Sequence, residues 1–98
     1  NWDSSLPTLL DRLGLVSWFD TIVVSHLEGM EKPRPELFLR AVARLAGTPR
    51  DALHVGDVPE LDQAGATAAG ISSVIVDRRS RLGADYAALA AASRLCAA

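Results

Sequence analysis

Ala52-Leu53-His54-Val55-Gly56-Asp57-Val58-Pro59-Glu60-Leu61-Asp62 is the stretch whose reading decides the fold, followed by the Ala/Gly-rich run 63–70 and by Ile71-Ser72-Ser73-Val74-Ile75-Val76. It reads as a short buried strand, a tight turn at Gly56, a helix, and a second buried strand. Asp57 falls at the carboxyl end of the first strand and Asp62 in the turn entering the helix. In a parallel α/β sheet this is where sites form, because loops converge at the strand ends and helix N-termini point at the ligand. Two hard oxygen ligands so placed suit a Mg²⁺ ion that keeps several waters and a substrate phosphate.

Gly56-Asp57-x-x-x-x-Asp62 resembles the fourth motif of the haloacid dehalogenase-like superfamily of hydrolases. Further matches occur in the same order. Glu31-Lys32-Pro33-x-Pro35-x-x-Phe38 resembles the third motif, and Asn1-Trp2-Asp3 resembles the tail of the second. Gly65-Ala66-x-x-Ala69-Gly70-Ile71 is similar to the run that follows the fourth. The resemblance covers roughly residues 1–86. It implies an α/β fold, a partial Rossmann-like three-layer core with parallel strands, lacking the nucleophile strand and the cap domain. The first motif, Asp-x-Asp-x-Thr/Val, has no counterpart in the sequence, and the chain opens on Asn rather than Met. Residues 1–98 are therefore expected to be the C-terminal part of such a core, an incomplete domain.

At 98 residues the chain makes at most one small domain, in the size range where burial is marginal without good packing. A hydrophobic fraction of 49% supports a globular α/β chain. The net charge of −2 gives no electrostatic case for nucleic acid or an anionic membrane as partner. One cysteine, Cys96, excludes an internal disulfide and a multi-cysteine metal site within these residues, and a free thiol makes the cytoplasm the expected compartment. No apolar run reaches transmembrane length, and no signal-peptide pattern opens the chain.

Along the chain, Ser4 or Ser5 is expected to cap a helix whose Leu6, Leu9, Leu10 and Leu13 share a face, with Gly14 closing it. Thr21-Ile22-Val23-Val24-Ser25 reads as a β-branched strand of the buried parallel kind. Residues 26–34 form the loop that carries Lys32. Pro35 opens a helix with Leu37, Phe38, Ala41, Val42 and Leu45 on one face, stopped by Gly47-Thr48-Pro49. Strands are expected over 52–55 and 73–76, then a polar loop over 77–83. Residues 84–98 favour helix by propensity, although the resemblance gives Ala84-Asp85-Tyr86 as a short terminal strand. By the resemblance, the 21–25 strand is outermost on one side of the sheet and the 52–55 and 73–76 strands form the other. The middle is left open by about 14 Å. Unpaired backbone groups on such edges make the isolated chain marginal and prone to self-association.

Asp57 by itself could be a helix cap, and Lys32 by itself a solvated surface lysine. Set at their motif positions, the resemblance implies Asp57 as a ligand of catalytic Mg²⁺ and Lys32 as the phosphate-side lysine. Asp62 would act on a ligand water or on Lys32, and Asn1 would donate to the phosphoryl group. Catalytic candidates are thus Lys32 and Asp62, phosphate-binding candidates Asn1 and Lys32, and the metal candidate Asp57. His26 and His54 belong to no motif, and His54 reads as a packed, hydrogen-bonded strand histidine. The arginines of 78–81 read as a solvated loop, the run 65–70 as no dinucleotide fingerprint, and Cys96 as unactivated. The expected parent is a Mg²⁺-dependent phosphohydrolase of phosphorylated small molecules, working through an aspartyl-phosphate whose nucleophile lies outside this chain. The fragment itself is expected to be inactive. The alternative is a non-catalytic remnant or splice product that serves as an interaction module.

Overall fold

The computed structural model describes residues 1–79, and the expectations for 80–98, including the terminal helix or strand and Cys96, lie outside the described residues. Helices α1 (Leu6–Arg12), α2 (Ser25–Glu28) and α3 (Pro35–Arg44) precede strand β1 (Leu53–Gly56), helix α4 (Ala64–Ala68) and strand β2 (Ser72–Ile75). Short 3₁₀ turns occupy Val16–Trp18 and Pro49–Asp51, and a π-helical turn, Pro59–Gln63, leads into α4. β1 and β2 pair in parallel with Leu53 opposite Ser72 and Gly56 opposite Ile75, and the ladder extends by Val76 N–H to the Gly56 carbonyl at 2.9 Å. A parallel pair needs a crossover, and the π-turn and α4 supply it.

The core forms where α3 and α4 meet behind this ladder: Phe38, Val42, Ala66, Ala69 and Ile71 bury one another, with Ala52 packed against them. The small residues of the Ala/Gly run make this possible. A Cβ at Gly65 would stand 2.3 Å from the Phe38 ring, so only glycine lets α4 approach α3 this closely. Of the expected α3 face, Leu37, Phe38 and Val42 are buried, Ala41 is half-buried and Leu45 is exposed. Pro35 is at the first helical position, as expected. The end of α3 comes one residue earlier than Gly47, because Ala46 takes the left-handed conformation at φ 56°. Gly47 N–H then reaches the Val42 carbonyl at 3.1 Å, and Ala46 N–H the Ala43 carbonyl at 3.0 Å.

Two further expectations are corrected. Neither Ser4 nor Ser5 caps α1 through its side chain; the Asp3 carboxylate instead accepts the Ser5 N–H at 2.8 Å and the Ser5 hydroxyl. The expected strand over 21–25 is not formed: 21–24 have no strand pairing among the described residues, although Val24 is extended, and Ser25 opens α2. Trp2 meets the residues that follow 21–24, and the contact is not a ladder. The Ser25 hydroxyl bridges the Trp2 N–H and carbonyl at 2.8 Å each, and His26 N–H reaches the same carbonyl at 3.2 Å. Without consecutive backbone partners a β-branched run stays irregular. Among the described residues no helix is long and apolar enough to cross a membrane.

Candidate active site

The site is built around one carboxylate. Asp62 lies on the π-helical turn and is 1% exposed, the most deeply buried charged side chain among the described residues. The wider turn folds its side chain back over the end of β1, where Oδ2 accepts the N–H groups of Asp57 at 3.1 Å and Val58 at 3.0 Å. These amides would otherwise be orphan donors at the start of the turn. Oδ1 takes the Lys32 ammonium at 2.6 Å and His54 Nε2 at 2.8 Å. An ionised carboxylate has about four acceptor sites, and all are filled. Burial pushes the Asp62 carboxyl up, but the donors from Lys32, His54 and the Val58 amide outweigh it and hold it well below the usual carboxylate range.

Gly56 is what admits this carboxylate. A Cβ there would lie 2.1 Å from Asp62 Cγ, so any other residue would expel the side chain from its seat. The glycine therefore serves the close approach of Asp62.

Lys32 is on the loop before α3 and is joined to Pro33 by a cis peptide bond. Its backbone is clamped by Asn1: the Lys32 N–H donates to Asn1 Oδ1 at 2.7 Å, and Asn1 Nδ2 donates to the Lys32 carbonyl at 3.2 Å. Asn1 thus fixes the segment that carries the lysine, with one amide hydrogen left to donate elsewhere. Asn1, Trp2, Ser25, Lys32, Phe38 and His54 line one open groove. The Lys32 side chain is 23% exposed, so its ammonium can face a ligand while bound to Asp62.

Asp57 follows the strand and is half-exposed, with Oδ2 at 3.4 Å from an Arg78 guanidinium nitrogen. Arg79 turns instead to Asp77, whose carboxylate also takes the Arg79 N–H at 2.8 Å. As a metal ligand Asp57 fits as one hard oxygen open to solvent. Asp62 has no lone pair left to offer, and among the described residues no group of three His, Cys, Asp or Glu could hold a metal. Asp57 thus offers one exposed carboxylate and no further protein ligand among the described residues.

The residues singled out in the sequence are therefore brought together: Lys32 and the Asp57 amide both bind Asp62, and Asn1 binds the Lys32 backbone. His26 is exposed on α2 and stands apart. His54 is the residue that sequence reasoning undervalued. It is packed and hydrogen-bonded, but its partner is Asp62, and its ring meets Phe38 edge-on with centroids 4.8 Å apart. A signal existed: His54 and Gly56 are two apart on a strand and so point to one face, the face onto which Asp62 must fold.

The sequence profile of the haloacid dehalogenase-like hydrolase family matches residues 1–76. The chain is 41% identical over 69 residues to a glyceraldehyde 3-phosphate phosphatase of Methanopyrus kandleri, covering 70% of this chain and 30% of that protein. It is 41% identical over 68 residues to a ribulose-1,5-bisphosphate 5-phosphatase of Halopiger xanaduensis, covering 69% and 28%. It is 38% identical over 76 residues to haloacid dehalogenase-like hydrolase domain-containing protein 3 of Mus musculus, covering 78% and 30%. Among solved structures, a HAD phosphatase from Thermococcus onnurineus superposes with a TM-score of 0.74 at 30% identity, over 82% of this chain and 37% of that one. A 2-haloacid dehalogenase from Pseudomonas syringae gives 0.68 at 35% identity, over 74% and 31%. The chain thus spans about a third of the length of the proteins it matches.

Proposed function

Because this chain belongs to the haloacid dehalogenase-like hydrolases, we propose that it is the C-terminal part of a phosphohydrolase core, and that its buried polar cluster is the phosphate side of that active site. The observation that carries the reading is the convergence of Lys32 and the Asp57 amide on one saturated carboxylate at the carboxyl end of β1, with Asn1 holding the Lys32 backbone. An ammonium held there can balance the charge of a phosphoryl group during transfer, an electrostatic contribution set up before the substrate arrives. Asp62 acts by holding Lys32 in place and touches no substrate itself. Asn1 holds the Lys32 backbone and has an amide hydrogen for a phosphate oxygen. Asp57 would hold Mg²⁺, which, when bound, supplies charge neutralisation at the phosphate. The nucleophilic aspartate and its acid/base partner come from outside these residues, since no Asp-x-Asp occurs in the sequence. The substrate class is a phosphorylated small molecule, as the names of the phosphatase relatives suggest.

Two measurements test this. Mn²⁺, a paramagnetic stand-in for Mg²⁺, is expected to broaden amide signals around Asp57 in the wild-type chain and not in Asp57→Asn. Equal broadening in both would remove the metal assignment. With p-nitrophenyl phosphate and Mg²⁺ the chain alone is expected to show no turnover, and hydrolysis by it would overturn the account of an external nucleophile.

A further inference from the structure

His54 has no part in the reading above, yet it shares an oxygen with the lysine on which that reading depends. Nε2 of His54 and Nζ of Lys32 converge on Asp62 Oδ1 at 2.8 and 2.6 Å. A carboxylate oxygen cannot donate, so Nε2 must carry a proton. The ring is held on two sides: its backbone is in the β1 ladder opposite Ser73, and the edge of Phe38 meets it at 82°. Phe38 in turn is locked against Gly65, where a Cβ would be 2.3 Å from the ring. A rigid path therefore runs from the α3–α4 contact through Phe38 and His54 to Asp62.

We propose that His54 is a positioning residue for Lys32, acting through the Asp62 oxygen that the two side chains share. The two backbone amides fix only Oδ2 and leave the carboxylate free to pivot about it. The His54 donor removes that freedom by fixing Oδ1. Lys32, on a flexible four-carbon stem, is then directed to a stationary acceptor rather than a swinging one. The imidazole also takes part of the charge density of Oδ1, so the ammonium is less completely neutralised by its partner and keeps attraction for an anion in the groove. Lys32 takes its phosphate role from the function proposed above, on which this assignment rests, but the coupling is measurable without any reaction.

The test uses the isotope-labelled 98-residue chain with His54→Leu, which removes the donor, and His54→Gln, which keeps an N–H within reach of Asp62. The wild-type imidazole is expected as the Nε2-protonated tautomer in its nitrogen resonances. Water exchange of the Lys32 ammonium protons is expected to be about tenfold faster in His54→Leu and to return most of the way in His54→Gln. An Nδ1-protonated tautomer in the wild type would overturn the proposal. So would unchanged Lys32 exchange in a folded His54→Leu chain, or loss of protection in His54→Gln equal to that in the leucine variant. Should His54→Leu fail to fold, the wild-type tautomer and the glutamine variant decide. A longer protein that hydrolyses no phosphate ester while these signals persist would overturn the hydrolase reading and leave the His54–Lys32 coupling standing.

Discussion

Of the four donors that converge on Asp62, two are backbone amides and two are side chains from distant segments, so protonating this one group weakens several contacts together. Its folded-state value lies below the ordinary 3.8, which makes protonation harder in the folded chain than in the unfolded one. The resulting stabilisation is complete above about pH 4 and is lost as pH falls through the folded-state range. Urea midpoints are therefore expected to drop below about pH 4. Asp62→Asn should cost about 2 kcal/mol at neutral pH and flatten most of that acid slope. A smaller slope remains from Asp3, held down by hydrogen bonds from Ser5, and from Asp77, held down by the Arg79 amide. An Asp62→Asn variant with an undiminished acid slope would move its origin to another carboxylate.

At the level of elements, the same physics explains where segments begin and end. Within the π-helical turn Asp62 reaches back to the amides of Asp57 and Val58. At the end of α3, Ala46 occupies a left-handed position that glycine fills at less cost. Ala46→Gly is expected to raise stability by about 0.5 kcal/mol, the relieved strain exceeding the added freedom of the unfolded chain. A lower urea midpoint for that variant would mean that the Ala46 methyl contributes packing not evident in its surroundings. Across α2 and α3, Glu28 accepts both Arg40 and Arg44, the latter at 2.5 Å, and so ties the Lys32 loop at its two ends.

The whole molecule leaves much of its apolar surface uncovered. Trp18 is 80% exposed, Trp2 52% and Phe19 51%, and α1 buries none of its leucines. Only β1 and β2 form a ladder among the described residues, and within these the outer edge of β1, beside the groove, has no strand partner. Exposed aromatics and a free edge favour contacts between copies. The apparent mass in sedimentation is expected to rise with concentration from the monomer upward, with a shallow melt at the dilute end. A strict monomer with a sharp two-state transition above about 5 kcal/mol would contradict this.

Several features were legible from residue order alone. Gly56-Asp57 and Asp62 marked the strand end, Pro35 the start of α3, and the Ala/Gly run the crossover helix, because turn chemistry and helix-end preferences are local. The order of the motifs was enough to anticipate the pairing of Lys32 with Asp62. Other features depended on what came near in space. The 21–24 run has every local property of a strand and lacks the ladder that would make it one. His54 looked like an ordinary packed histidine until folding delivered Asp62 to its Nε2. Asn1 proved to hold the Lys32 backbone, thirty-one positions away in sequence. Local propensity follows from each residue and its neighbours, whereas a ladder or a shared carboxylate oxygen exists only when tertiary packing brings both partners within hydrogen-bond reach.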